Sequence, residues 1–335
     1  MRQLSAVMLL LFALLLPVAY VHGQSFEPVE MFKRMGWTKT DFSKTSVKLE
    51  EVFSGGPPRD GIPPIDNPEF EPVARITDLS GREPVMSLEI EGDARAYPLR
   101  IMIWHEIVND TVGGKPVSVT YCPLCNAAIV FDRRVGDAVL DFGTSGLLRH
   151  SDLIMYDRQT DSWWQQFTGE AIVGDMLGKS LAMLPARLES WAEFKARHPQ
   201  GKVLVPNDPN LRRYGENPYV GYDRSAKPFL YNGAMPDGIS PMARVVVYRH
   251  GGKVHAVALS YLVSQGSLRH GPVKLSWKAG QASALDTANI AEGRDVGSVT
   301  VARTTPSGQY ADIPHDVTFA FVVAAFHPGT DILKE

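Results

Sequence analysis

Residues 121–126 read Tyr-Cys-Pro-Leu-Cys-Asn and contain both cysteines of the 335-residue chain. Two thiols at this spacing can close a tight disulfide, exchange electrons with another thiol pair, or offer two soft sulfur ligands to a metal. In exchange chemistry, Cys122 would be the attacking thiolate and Cys125 the resolving one. A metal site needs further donors. The flanking imidazoles in sequence are His105, in Trp104-His105-Glu106, and His150. Two thiolates with one or two imidazoles suit Cu(I) or Zn(II), and the thiolates make copper the first expectation. The spacing matches no compact zinc signature, so the fold must bring these partners together.

Other segments invite weaker readings. Phe142-Gly143-Thr144-Ser145-Gly146-Leu147 is not a serine-nucleophile elbow, because glycine directly follows the serine. It is expected to be a turn. Asp157 to Asp161 has turn chemistry, and Asp152, Asp157 and Asp161 lack the spacing and glycine of a calcium loop. Trp163, Trp164 and Asp157 offer a candidate ligand-binding wall. They support a competing expectation: a non-enzymatic binding module with an aromatic groove for a glycan or peptide, its cysteine pair merely structural. Phosphate-cradling glycine motifs and His-Glu-x-x-His are absent, and no motif fixes a reaction type, so enzymatic activity stays open.

The neighbours of the cysteines are strands. PVSVTY precedes them and AAIVFD follows, so the pair is expected at a strand-to-strand bend rather than at a helix N-terminus as in thioredoxin. With 29 glycines and 24 prolines the chain is turn-rich. The expected class is α+β and β-rich, with mostly antiparallel sheet. An internal echo divides it. Gly92 to Leu99 (GDARAYPL) resembles Gly252 to Leu259 (GKVHAVAL), and WAEFKARHP resembles AFVVAAFHP. Two related subdomains from a duplication are therefore expected. Residues 1–23 are a signal, 24–72 a proline-rich arm, and 73–205 the first repeat, carrying the cysteine site. Residues 206–241 are a connector rich in tyrosine, proline and glycine, and 242–335 a second, shortened repeat. His105, Cys122 and Cys125 fall opposite Gln265, Lys278 and Gln281, so the second repeat lacks all three. The connector reads as a crossover pinned by its tyrosines, with a lid as the alternative.

Arg2, the apolar run Leu4–Leu16, Pro17 and Val21-His22-Gly23 have the form of a secretory signal cleaved near Gly23. The run is too short to span a bilayer, and no later stretch is apolar enough to do so. The mature chain is expected to be soluble and periplasmic or extracellular. Net charge is −3, which gives no basic footprint for nucleic acid.

Several motifs together carry a family resemblance: SGGPPRDGIPPIDNP, His105 with Asn109-Asp110, VTYCPLCNAAIVFDRR, FGTSGLL, MYDRQTDSWWQQ, Gly169 to Gly178, and Ala325 to Thr330. On these the chain resembles the exported bacterial family catalogued as domain of unknown function 3179, across nearly the whole mature length. The resemblance implies export and an intact site of several motifs, but no activity. It implies that some relatives replace the second cysteine, which weighs against an obligatory disulfide. Relatives often repeat a YDR-like segment where the second repeat is shortened here.

Overall fold

The alternating run Pro84–Ile90 meets Asp93–Pro98 through the two-residue turn Glu91-Gly92, with φ of 50° and 79°. Positive φ at both positions is the turn geometry that matches the twist of the flanking strands. Repetition of such hairpins builds the molecule. In a computed structural model, residues 28–335 are described; the expected signal at 1–23 lies outside the described residues. Five sheets of four or five strands, with a two-stranded ribbon at Arg134–Val135 and Ala138–Val139, are arranged as a five-bladed propeller. The β-rich, mostly antiparallel character expected from composition is thus observed, assembled as blades.

Three blades are built mainly from residues before 206. The first joins Glu69–Pro72, Pro84–Ile90, Asp93–Pro98, Arg187–Ser190 and Lys202–Val205. The second joins Ile107–Val112, Lys115–Cys122, Ala127–Asp132 and Met183–Leu184. The third joins Val52–Ser54, Phe142–Arg149, Asp152–Asp157, Trp163–Gln165 and Glu170–Val173. The fourth joins Arg244–His250, Lys253–Ala258, His315–Phe319 and Ile332–Leu333, and the fifth Ser267–His270, Val273–Lys278, Ser298–Thr304 and Tyr310–Asp312.

Apart from Glu69–Pro72, which only the first blade has, the first and fourth blades follow the same order of elements. A hairpin leads into a seven-residue helix, Leu99–His105 or Leu259–Gln265, and then into the next blade. An antiparallel strand returns, followed by a second helix, Trp191–Arg197 or Ala320–Phe326. A closing strand then pairs in parallel with the second hairpin strand. One hydrophobic cluster runs from Ile65 to Val323 and draws on both halves. Between the halves, residues 206–241 hold one short 3₁₀ turn, Tyr222–Arg224, and no strand. Among the described residues no helix is long and apolar enough to cross a membrane.

The tryptophan pair is closed to ligands. Successive strand residues point to opposite faces, so Trp163 and Trp164 serve two different cores. Trp163 receives the N-terminal arm: Phe32, Trp37 and Phe42 meet its ring edge-to-face at 4.9, 5.4 and 5.3 Å. Trp164 turns inward against Phe142, and its indole N–H donates to Asp157 Oδ2 at 2.9 Å. Both tryptophans and Asp157 are 0% exposed. The expected aromatic wall is therefore corrected to core packing, the commoner fate of tryptophan. Trp163→Ala is expected to cost about 3–5 kcal/mol, the usual range for emptying such a site. It should also make the arm before Arg59 sensitive to protease. An unchanged denaturation midpoint would show that the arm is not held by this ring.

Candidate metal centre

Cys122 is the last residue of Lys115–Cys122 and pairs with Ala127 across the bend. Pro123, Leu124, Cys125 and Asn126 make the loop, with Asn126 N–H donating to the Pro123 carbonyl at 3.2 Å and Asn126 at φ 53°. The pair therefore sits in a hairpin loop, which removes the thioredoxin arrangement.

The loop is held mainly from the second half of the chain. Asn126 Nδ2 donates to the Val317 carbonyl at 2.6 Å, and Thr318 Oγ1 donates to the Cys125 carbonyl at 2.7 Å. Asp316 Oδ1 accepts from Ala128 N–H at 3.0 Å. From the connector, Tyr222 O–H donates to the Leu124 carbonyl at 3.0 Å. Two other connector tyrosines are also engaged: Tyr214 stacks on His105 and Tyr231 packs against His150 and Phe321.

The third blade supplies the opposing wall. Its hairpin pairs Arg149 with Asp152 through the two-residue turn His150-Ser151, with φ of 53° and 65°. Glycine fills both positions of the corresponding turn at Gly113-Gly114. A non-glycine residue held in this region costs on the order of 1–3 kcal/mol. Eight non-glycine residues have positive φ among the described residues, and four of them (Glu106, Asn126, His150 and Ser151) flank this site. The turn aims the Ser151 carbonyl at both thiols, 3.5 Å from Cys125 Sγ and 3.9 Å from Cys122 Sγ.

The same turn delivers Asp152. Donor atoms of Cys122, Cys125 and Asp152 lie within 4.8 Å of one another, and the three residues are at most 1% exposed. Asp152 Oδ2 is fixed by Gln165 Nε2 at 2.6 Å and Phe167 N–H at 2.9 Å, while its buried Oδ1 has no hydrogen-bond partner. Both cysteines are free. Burial pushes the Asp152 carboxyl up to about 6, against the pull of the Phe167 N–H and Gln165. Burial likewise pushes both thiols up. Glu106 is raised to about 8 by burial and then by the charge of Asp152, and Asp316 to about 7, chiefly by burial.

Of the expected donors, the fold brings Cys122 and Cys125 together but leaves the histidines outside. His105 uses both ring nitrogens, on the Pro63 carbonyl at 2.7 Å and on Tyr214 O–H at 2.8 Å. His150 points away, its Nε2 3.6 Å from Glu51 Oε2 and its ring against Tyr231 and Phe326. The three aspartates considered as one cation group are split. Asp157 caps Thr160 and Trp164, and Asp161 forms a double ion pair with Arg59. Asp152 alone joins the cysteines. Its role, and those of Glu106, Asp316 and Thr318, depend on contacts between blades. The one local signal was a turn between two apolar runs that lacks glycine.

A family described as a protein of unknown function (DUF3179) matches residues 59–330, and the chain belongs to that family. No curated protein and no solved structure matches the chain.

The raised carboxyls set a pH dependence for the metal-free protein. A carboxyl with a raised folded pKa holds its proton more tightly folded than unfolded. Its stabilising effect is therefore full below the unfolded value and lost as pH rises through the folded one. For Glu106 that window runs from about 4.5 to about 8. Thermal midpoints of the chelator-treated chain should fall across this window, and Glu106→Gln should flatten the fall. An equally steep fall in the variant would remove Glu106 as its source.

Proposed function

We propose that the chain is an extracytoplasmic metal-binding protein whose Cys122, Cys125 and Asp152 hold one divalent ion, zinc in preference to copper. The observation that carries this reading is the buried convergence of two thiols and a carboxylate, one oxygen of which, Asp152 Oδ1, has no hydrogen-bond partner. A buried polar atom left without a partner is costly, and a bound cation would satisfy it. Zinc binds sulfur at about 2.3 Å and carboxylate oxygen at about 2.0–2.2 Å, so donors that already lie within 4.8 Å of one another are near enough to close on one ion.

The aspartate moves the preference from copper to zinc. Two thiolates alone favour Cu(I), but a carboxylate is a hard ligand that zinc accepts more readily. Ionised, the three donors carry three negative charges. A divalent ion leaves one uncompensated in the buried site and a monovalent ion leaves two, and buried charge is expensive. Because the free thiols hold their protons, binding should release protons and strengthen as pH rises.

Thiol redox is the second reading. Asp152, with its carboxyl near neutrality beside the pair, suits a proton acceptor for a buried thiol. The near-complete burial of both sulfurs ranks it below metal binding, because exchange requires an exposed thiolate. The export reading rests on the Arg2 to Gly23 pattern. The duplication reading, residues 73–205 and 242–335 as copies of one plan, is supported by the shared element order of the first and fourth blades. On that reading the shortened copy lost the donors and kept a clamp, Asp316 to Thr318, on the copy that retained them.

Metal analysis of the untagged full chain tests the proposal. One equivalent of zinc should be bound that Cys122→Ser and Asp152→Asn each remove. Equal zinc in wild type and Cys122→Ser would refute it. A pair that binds no metal but cycles with a dithiol reductant would establish the redox reading instead.

A further inference from the structure

Three of the chain's nine histidines meet at one edge of the fourth and fifth blades. His250 ends Arg244–His250, His255 lies within Lys253–Ala258, and His270 ends Ser267–His270. Ring centroids are 4.4 Å apart for His255 and His270, 5.2 Å for His250 and His270, and 6.3 Å for His250 and His255. We propose that this cluster is a second, independent metal site, which takes a transition-metal dication of the kind imidazole favours: zinc, nickel or copper(II).

The hydrogen bonds around the rings engage one nitrogen on His255 and on His270. A metal-binding histidine normally has its other ring nitrogen anchored by a carbonyl or another polar group, which fixes the tautomer and the ring orientation. Here His255 Nε2 meets the His250 carbonyl at 3.2 Å, which leaves Nδ1 as the lone-pair nitrogen. His270 Nδ1 lies 3.0 Å from Tyr248 Oη, and in the tautomer in which Nδ1–H donates to that oxygen Nε2 is the lone-pair nitrogen. His250 Nδ1 is buried and has no partner. Each ring thus keeps one nitrogen uncommitted; the three nitrogens do not lie within 4.8 Å of one another, so the rings must turn toward a shared ion for it to bind.

The surroundings admit an ion. His255 and His270 line an open cleft of about 800 Å³, and Asp331 lines the same cleft. The guanidinium of Arg269 is drawn aside, over the Tyr310 ring at 5.7 Å. His270 is exposed and the other two histidines are partly so, and the ion can therefore enter from solvent without unfolding the blade.

This site does not depend on the cysteine site, and the test separates them. The probe is nickel chloride, titrated by calorimetry into the untagged full chain with Cys122→Ser and Cys125→Ser. One equivalent should bind. His270→Gln should weaken it by about tenfold or more, and Tyr248→Phe, which removes an anchor and no ligand, by about tenfold. Zinc stoichiometry of the unsubstituted chain is the second measurement. Two equivalents should fall to one in His255→Gln/His270→Gln. Nickel binding unaffected by the histidine substitutions, or no nickel bound at all, would overturn the proposal. If the cysteine site fails instead, the unsubstituted chain should bind one equivalent, and the histidine substitutions should remove it.

Discussion

A carboxylate buried against two thiols is the constraint to which the rest of the site answers. Asp152 reaches Cys122 and Cys125 only because His150 and Ser151 take positive φ in a two-residue turn, where glycine would be easier. Strain of this kind persists when the surroundings over-determine it. Here they do: the turn is tied into the third blade through Gln165 and the Phe167 N–H, and the Ser151 carbonyl faces both sulfurs. Substituting glycine would relieve the backbone but also loosen the placement of the carboxylate.

The opposing wall is equally fixed. The cysteine loop is held by Val317, Thr318 and Asp316 from the fourth blade and by Tyr222 from the connector. Residues separated by nearly two hundred positions thus form one rigid pocket, which is the condition for a site whose donors must not move. The tyrosine-rich connector then has a physical role, since it anchors the loop it crosses. The price is three carboxyls held in low-dielectric surroundings, with Glu106 and Asp316 raised beside Asp152.

Much of this was legible in the sequence, and what was not has a common cause. Strand periodicity around residues 116–132 correctly placed the cysteines at a bend, because side-chain alternation and turn chemistry are local. The echo around Gly92 and Gly252 picked out hairpins that do share a place in two blades. The propeller was hidden, because sheet assembly depends on pairings such as Val52 with Arg149 that no local pattern encodes. The same limit misplaced the donors. His105 and His150 are close to the cysteines in sequence, yet the fold gives one to Pro63 and Tyr214 and turns the other toward Glu51. Trp163 and Trp164 suggested a groove because a paired aromatic reads the same whether it lines a cleft or fills two cores.

X-ray absorption at the zinc edge of the full chain with both His255 and His270 replaced by glutamine, loaded with one equivalent of zinc, addresses the central claim most directly. Two sulfur scatterers at about 2.3 Å with oxygen at about 2.0–2.2 Å are the expected first shell. A shell of light atoms alone, with no sulfur, would contradict it.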